Sequence, residues 1–379
     1  MVKKLFVIFL SLFAFVELYA QKINNLSYSF SIGEGYVLPT NDFLKGVNED
    51  NKKITNLTHF SLKVSKETDN SKPWHARYND LRYGLGAFYG IFNYSKNLGN
   101  PFSLYAFAGF TPWKNETFSF KNELAVGLSG IWDYYSENNP HNIAVSMPVE
   151  AYIHFDFQFF WRMKNNWQLN TGLSFIHFSN GAVIKPNKGI NIASYSLGLT
   201  YTPEQIVKYD VAPKPQTNKK YDYFTNICVG SHAVWFNYEK TTQEKDTIKK
   251  SYAVTGLQQR VIRNLNDKYS VGLGVDLVYN SSIGKTDSVY LLHPEKRNYD
   301  FVDRMSAGFY LSFQYNINKL SVLVEPGYAF WQVHGYAPKQ YQRLGLRYNF
   351  AEHFFAHVAL RAYNYHVADF IEWGLGFKL

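Results

Sequence analysis

The sequence predicts an all-β fold, a transmembrane antiparallel β-barrel, with two tandem eight-stranded barrels as the favoured arrangement. Three observations lead there. Segments of about ten residues alternate apolar and polar side chains and are separated by Asn, Asp, Gly, Lys and Pro, the period-2 pattern of strands facing lipid on one side and a lumen on the other. Aromatic residues make up 18% of the chain, with 30 Tyr and 31 Phe, a composition suited to the two interfacial girdles of a barrel. After the first twenty residues, no segment reads as a membrane-spanning helix.

The elements follow in order. Lys3 and Lys4 precede the apolar run Leu5 to Val16, and Leu18-Tyr19-Ala20 makes a small-residue cleavage site, so residues 1–20 are expected to be a signal peptide. Strands are predicted near 26–34, 57–65, 81–95, 101–112, 116–132, 145–162, 166–180 and 191–203. A polar, proline-bearing stretch, Val211 to Lys220, then interrupts the pattern. A second set is predicted near 222–236, 249–264, 268–280, 301–316, 319–332, 340–349, 353–366 and 369–379. The division expected is therefore a barrel over 21–205, a linker over 206–221 and a second barrel unit over 222–379. The last hairpin of each set places a His-bearing strand end before a glycine-bearing strand, Ser196-Leu197-Gly198-Leu199 and Trp373-Gly374-Leu375-Gly376. This suggests one unit repeated; a single barrel of about sixteen strands is the alternative, and a soluble β-sandwich the rival outside membranes.

The formal charge of +9 is carried by scattered basic residues with no nucleic-acid motif. No His, Cys or carboxylate set has structural-zinc spacing, and no glycine-rich phosphate cradle is present. Cys228, the single cysteine, has no partner for an intrachain disulfide. His75, with Trp74, Arg77 and Tyr78, reads as a rim aromatic cluster rather than a metal site, and His141 lies in a loop within reach of the 166–203 hairpin.

Chemistry concentrates in His177-Phe178-Ser179-Asn180-Gly181. Residues two apart in a strand share a face, with Cα atoms roughly 6.5–7 Å apart. His177 can therefore reach Ser179 and take its proton, which turns the hydroxyl into a nucleophile. Trp167, Leu169, Thr171, Leu173 and Phe175 share their parity and are mostly apolar, whereas Gln168, Asn170, Gly172 and Ser174 are polar or small. The pair is thus expected on the lipid-facing wall, where Asn191, at the start of the next strand, converges on it. Polar groups at that place are costly without a role; the plain alternative is a polar rim above the apolar belt.

His177-Phe178-Ser179-Asn180 followed by Pro186-Asn187-Lys188-Gly189-Ile190 resembles the lipid A 3-O-deacylase (PagL) family, mainly over the first unit. The resemblance implies an outer-membrane serine esterase of a Gram-negative bacterium, acting on lipid A of lipopolysaccharide without a cofactor. It implies Ser179 as nucleophile and His177 as general base, with Asn180, Gly181 and Asn187 serving the oxyanion or substrate. The family's third triad member is a glutamate, and Asn191 stands there instead. Asn191, twelve residues after the serine, also resembles outer-membrane phospholipase A, a Ser–His–Asn esterase on a single barrel of about twelve strands activated by calcium. A non-enzymatic barrel, porin or adhesin scaffold, is the rival class. The second unit carries His366-Val367-Ala368-Asp369, with alanine in the serine's place, and is expected to be catalytically inactive. Glu372 reads as a lumenal residue. Oligomeric state stays open.

Overall fold

Alternation along each strand leaves one face to be covered and one row of hydrogen bonds to be closed, and a barrel does both. In the computed structural model the strands are β1 (Leu26–Val37), β2 (Asn56–Glu67), β3 (Arg82–Phe92), β4 (Gly99–Lys114), β5 (Phe118–Trp132), β6 (Glu150–Arg162), β7 (Trp167–Ser179) and β8 (Ile190–Tyr201). A second series runs β9 (Tyr221–Lys240), β10 (Glu244–Asn264), β11 (Tyr269–Asn280), β12 (Met305–Ile317), β13 (Leu320–Trp331), β14 (Gln340–Asn349), β15 (Phe354–Tyr363) and β16 (Val367–Lys378). The structure describes residues 26–379 except 70, 73, 76–77, 79, 165, 204–219, 241–243, 285–298, 333–337 and 365–366, and the side chains of 234–250 are likewise outside the description. The expected signal peptide, most of the expected linker, Arg77 and His366 therefore lie outside the described residues.

Each series closes on itself: β1 pairs with β8, and β9 with β16, giving two closed barrels rather than one. By contact the chain falls into two units, Met1–Asp133 with Pro148–Phe178 and Ile190–Pro213, and Tyr134–Met147 with Ser179–Gly189 and Lys214–Leu379. In the first barrel the connections 38–55, 93–98, 133–149 and 180–189 share the end where β7 finishes; the connection 68–81 and tight turns at 115–117 and 163–166 occupy the other end. The expected start of β6 near 145 is overturned. The strand begins at Glu150 because Ile143, Ala144 and Ser146 are engaged with the 180–189 loop instead.

The outer walls are apolar, as in the β6 row Phe155, Phe157, Phe159 and Trp161. The interiors are filled by side chains rather than open. In the first barrel, Tyr105 packs against Tyr152 at 5.2 Å between ring centroids, and Gly86 makes room for it, since a Cβ there would fall 2.3 Å from the Tyr105 ring. Lys63 bonds Glu123 and lies 3.6 Å from Asp156, with Arg82 3.4 Å from Glu123. The inward row of β7, Gln168, Asn170 and Ser174, is small and neutral, whereas the rest of the barrel interior carries charges paired with one another.

The second barrel is built around Arg343, fully buried, whose guanidinium meets Asp276 at 2.7 Å, Glu372 at 2.8 Å and Glu325 at 3.2 Å. Arg260 completes Glu325 at 2.7 Å, and the Tyr341 hydroxyl donates to Asp276 at 2.7 Å. Glu372 is thus lumenal, as the sequence suggests. Removing one member of such a network strands the others without compensation. Arg343→Met is expected to cost about 3–5 kcal/mol, whereas Leu344→Ala, the outward neighbour, should cost little. Urea titration of the detergent-folded protein, read by the shifted band on unheated gels, checks this; equal midpoints for the two variants would contradict it.

Candidate active site

Strand β7 sends Trp167, Thr171, Leu173 and Phe175 to the outer wall and Asn170, Gly172, Ile176 and Phe178 inward. Phe178 is 0% exposed, and its ring packs on Trp132 at 5.0 Å, Tyr152 at 5.5 Å and Phe88 at 6.1 Å. That anchor lies between His177 and Ser179. Because the pleat alternates, pinning Phe178 inward turns both neighbours outward, and both are half-buried at the end of the strand.

Strand β8 starts at the buried Ile190, and Asn191 stands directly across from His177 in the register of the hairpin. The Nδ1–H of His177 donates to Asn191 Oδ1 at 2.6 Å. An amide oxygen only accepts, so this bond places the proton on Nδ1 and a lone pair on Nε2, the tautomer a general base requires.

The connection after Ser179 is tightly built. Gly181 (φ 64°), Ala182 (φ 64°) and Gly189 (φ 68°) are left-handed, and the Val183 N–H donates to the Asn180 carbonyl at 3.3 Å. Asn180 is buried, and its Nδ2 donates to Ser146 Oγ at 2.9 Å. Its side-chain amide is therefore engaged with the β5–β6 connection. Asn187 is half-buried, and its Oδ1 has no hydrogen-bond partner among the described residues. An unpartnered acceptor suits a substrate hydroxyl better than an oxyanion.

The structure thus brings together His177 and Asn191 by a hydrogen bond, and Ser179 by the shared face of β7. His141 itself is exposed, but its loop does reach the hairpin through Ile143, Ala144 and Ser146. Sequence reasoning missed Phe178 and Ser146. The first was detectable, being the inward aromatic between two outward polar residues; the second was not, since it had been read as strand. His75 donates from Nδ1 to Asp69 at 2.8 Å beneath the Trp74 ring, and among the described residues no cluster of His, Cys and carboxylates has metal-binding geometry.

Truncating the anchor tests this construction. Phe178→Ala is expected to cost about 3–5 kcal/mol, while the outward Phe175→Ala costs far less. The folded-band assay against urea reads the difference, and an unshifted midpoint for Phe178→Ala would remove the anchor's role.

Comparison with known proteins gives two family matches. Residues 58–200 match the model of lipid A 3-O-deacylase (PagL), and residues 220–379 match that of the acyloxyacyl hydrolase C-terminal domain. Among solved structures, the crystal structure of the outer membrane enzyme PagL is similar at 15% identity and TM-score 0.29, over 45% of this chain and 97% of that one. A mutant porin from Rhodopseudomonas blastica is similar at 9% identity and TM-score 0.17, over 94% and 99%. The TodX monoaromatic hydrocarbon channel is similar at 9% and 0.19, over 93% and 88%. No curated protein matches. The first barrel thus carries the sequence pattern of the lipid A 3-O-deacylase (PagL) model, and the second that of the acyloxyacyl hydrolase C-terminal domain.

Proposed function

We propose that the chain is a serine esterase of the Gram-negative outer membrane that removes an ester-linked acyl chain from lipid A. The observation that carries this is the Asn191–His177 hydrogen bond beside Ser179, on the outward face of a barrel whose sequence matches the deacylase family. Ser179 Oγ attacks the ester carbonyl while His177 Nε2 takes its proton. Backbone N–H groups at Asn180 and Gly181 are the candidate donors to the tetrahedral oxyanion. Collapse expels the sugar oxygen, which receives the proton from His177, and leaves an acyl-serine. Water, deprotonated by the same imidazole, then releases the fatty acid.

The surroundings fit such a substrate. Leu173 at 68% exposed, with Tyr195 and Leu197 on β8, offers an apolar wall along which an acyl chain can lie. The site stands at the end of the first barrel that carries its two longest connections, 38–55 and 133–149, and longer connections mark the outward end in barrels of this kind. Lys185 and Lys188 in the same loop supply positive charge for a phosphorylated head group. Asn191 fixes the tautomer but supports imidazolium less than a carboxylate would. The second barrel, with Ala368 in the serine's place, contributes no nucleophile, so the chain is read as leader (1–20), active barrel (21–205), linker (206–221) and inactive barrel (222–379).

The amide partner of His177 is also what a Ser–His–Asn phospholipase would show, although two eight-stranded barrels differ from that family's single larger one. Mass spectrometry of lipid A and phospholipids from membranes expressing the wild type or Ser179→Ala decides. Loss of one acyl chain from lipid A, abolished by Ser179→Ala, is the expected result; lysophospholipid in its place would move the substrate, and no change in either pool would end the esterase reading. Asn191→Ala is expected to lower kcat by about tenfold or more, and Asn191→Asp to keep or raise it. Planar-bilayer recordings should show no large stable channels, given the filled interiors.

A further inference from the structure

The β5–β6 connection makes a set of bonds to the nucleophile loop that the reaction as outlined does not use. Asn142 is fully buried, and its Oδ1 accepts from the Ala144 and Val145 N–H groups at 3.1 and 3.2 Å. That turn presents two carbonyls outward along the chain. Ile143 O accepts from the Lys188 N–H, and Ala144 O from the Gly189 N–H, both at 3.0 Å, two consecutive bonds just before β8. Ala144 and Val145 are buried beside it.

Ser146 then ties the remaining part of the loop. Only 7% exposed, it accepts from Asn180 Nδ2 at 2.9 Å and donates from Oγ to the Ile184 carbonyl at 2.9 Å. One hydroxyl therefore joins the residue immediately after Ser179 to the middle of the loop, across Gly181 and Ala182, both left-handed. A backbone so conformed has no regular hydrogen-bond ladder to hold it, and a shift of about 1 Å in donor groups costs a large part of their effect.

We propose that Ser146 is a positioning residue for the nucleophile loop: through Asn180 and Ile184 it fixes the backbone N–H groups that follow Ser179, without touching substrate. The inference rests on the esterase reading of Ser179. Its role is in the rate of the acyl-transfer step and not in binding the lipid, so kcat should respond and KM should not.

Ser146→Thr and Ser146→Val have the same shape, and only threonine keeps the hydroxyl. The full-length protein in detergent is tested with purified lipid A, and separately with a fluorophosphonate, whose phosphorus takes Ser179 Oγ as fluoride leaves. Valine is expected to lower kcat and the labelling rate by about tenfold or more, with KM within about twofold, while threonine restores both and each variant keeps the shifted band on unheated gels. Asn180→Ala, which removes the other half of the bond, should add little to Ser146→Val. Valine labelling and turning over as fast as threonine would overturn the proposal, as would equal losses in both or an unlabelled wild type. A wild type that labels yet leaves lipid A intact would sink the lipid A reading alone, with the valine-to-threonine labelling ratio still deciding this one.

Discussion

The arrangement at the candidate site depends on one inward-pointing ring. Phe178 sits in an aromatic cluster with Trp132, Tyr152 and Phe88 inside the first barrel, and burial of that size outweighs what the half-buried polar residues beside it contribute. A strand cannot turn one residue inward without turning its two neighbours outward. The polar pair His177 and Ser179 is thereby placed on a membrane-facing wall where neither would settle by its own solvation. The hairpin register does the rest, bringing Asn191 across from His177. Core packing, pleat and register together place the imidazole against the Asn191 amide and on the face it shares with Ser179.

The interiors show why these barrels are solid rather than porous. An eight-stranded circumference leaves space for about one layer of side chains. Both lumens spend that space on paired ions and hydroxyls: Lys63 with Glu123 and Asp156 in one, Arg343 with Asp276, Glu325 and Glu372 in the other. Buried ion pairs gain little stability over apolar packing, but each partner fixes where the others must be. Such a core favours one strand register over its neighbours, which matters where a slip by one residue would turn every lipid-facing side chain inward.

Most of this architecture was legible in the sequence, for a physical reason. Alternation and turn residues are local signals, so each of the sixteen expected strands overlaps an observed one, with β6 starting later than expected, and the outward parity of Ser179 follows from its neighbours Leu173 and Phe175. Closure into two barrels was the favoured arrangement, yet pairing of β1 with β8 is a contact between distant segments that no window reveals. The lumenal ion pairs were not legible, because period-2 alternation marks a position as inward without saying what partner awaits it. The expected strand start near 145 takes in Val145 and Ser146, which alternate like strand residues; Val145 is apolar because it is buried in the connection that meets the 180–189 loop. Contacts between two irregular connections leave no period to detect.

The seams of the two barrels carry one more implication, for the order of assembly. The first seam joins Tyr28 to Tyr201 and the second joins Phe224 to Lys378, so neither borrows a strand from the other. Every chain segment needed to seal the first cylinder has left the ribosome before the second begins. Sealing requires ends far apart in sequence to meet, a slow search during which unpaired edges invite wrong partners. Two short circuits in succession shorten that search relative to one circuit through all sixteen strands, and they let insertion proceed as two separate events on a single polypeptide.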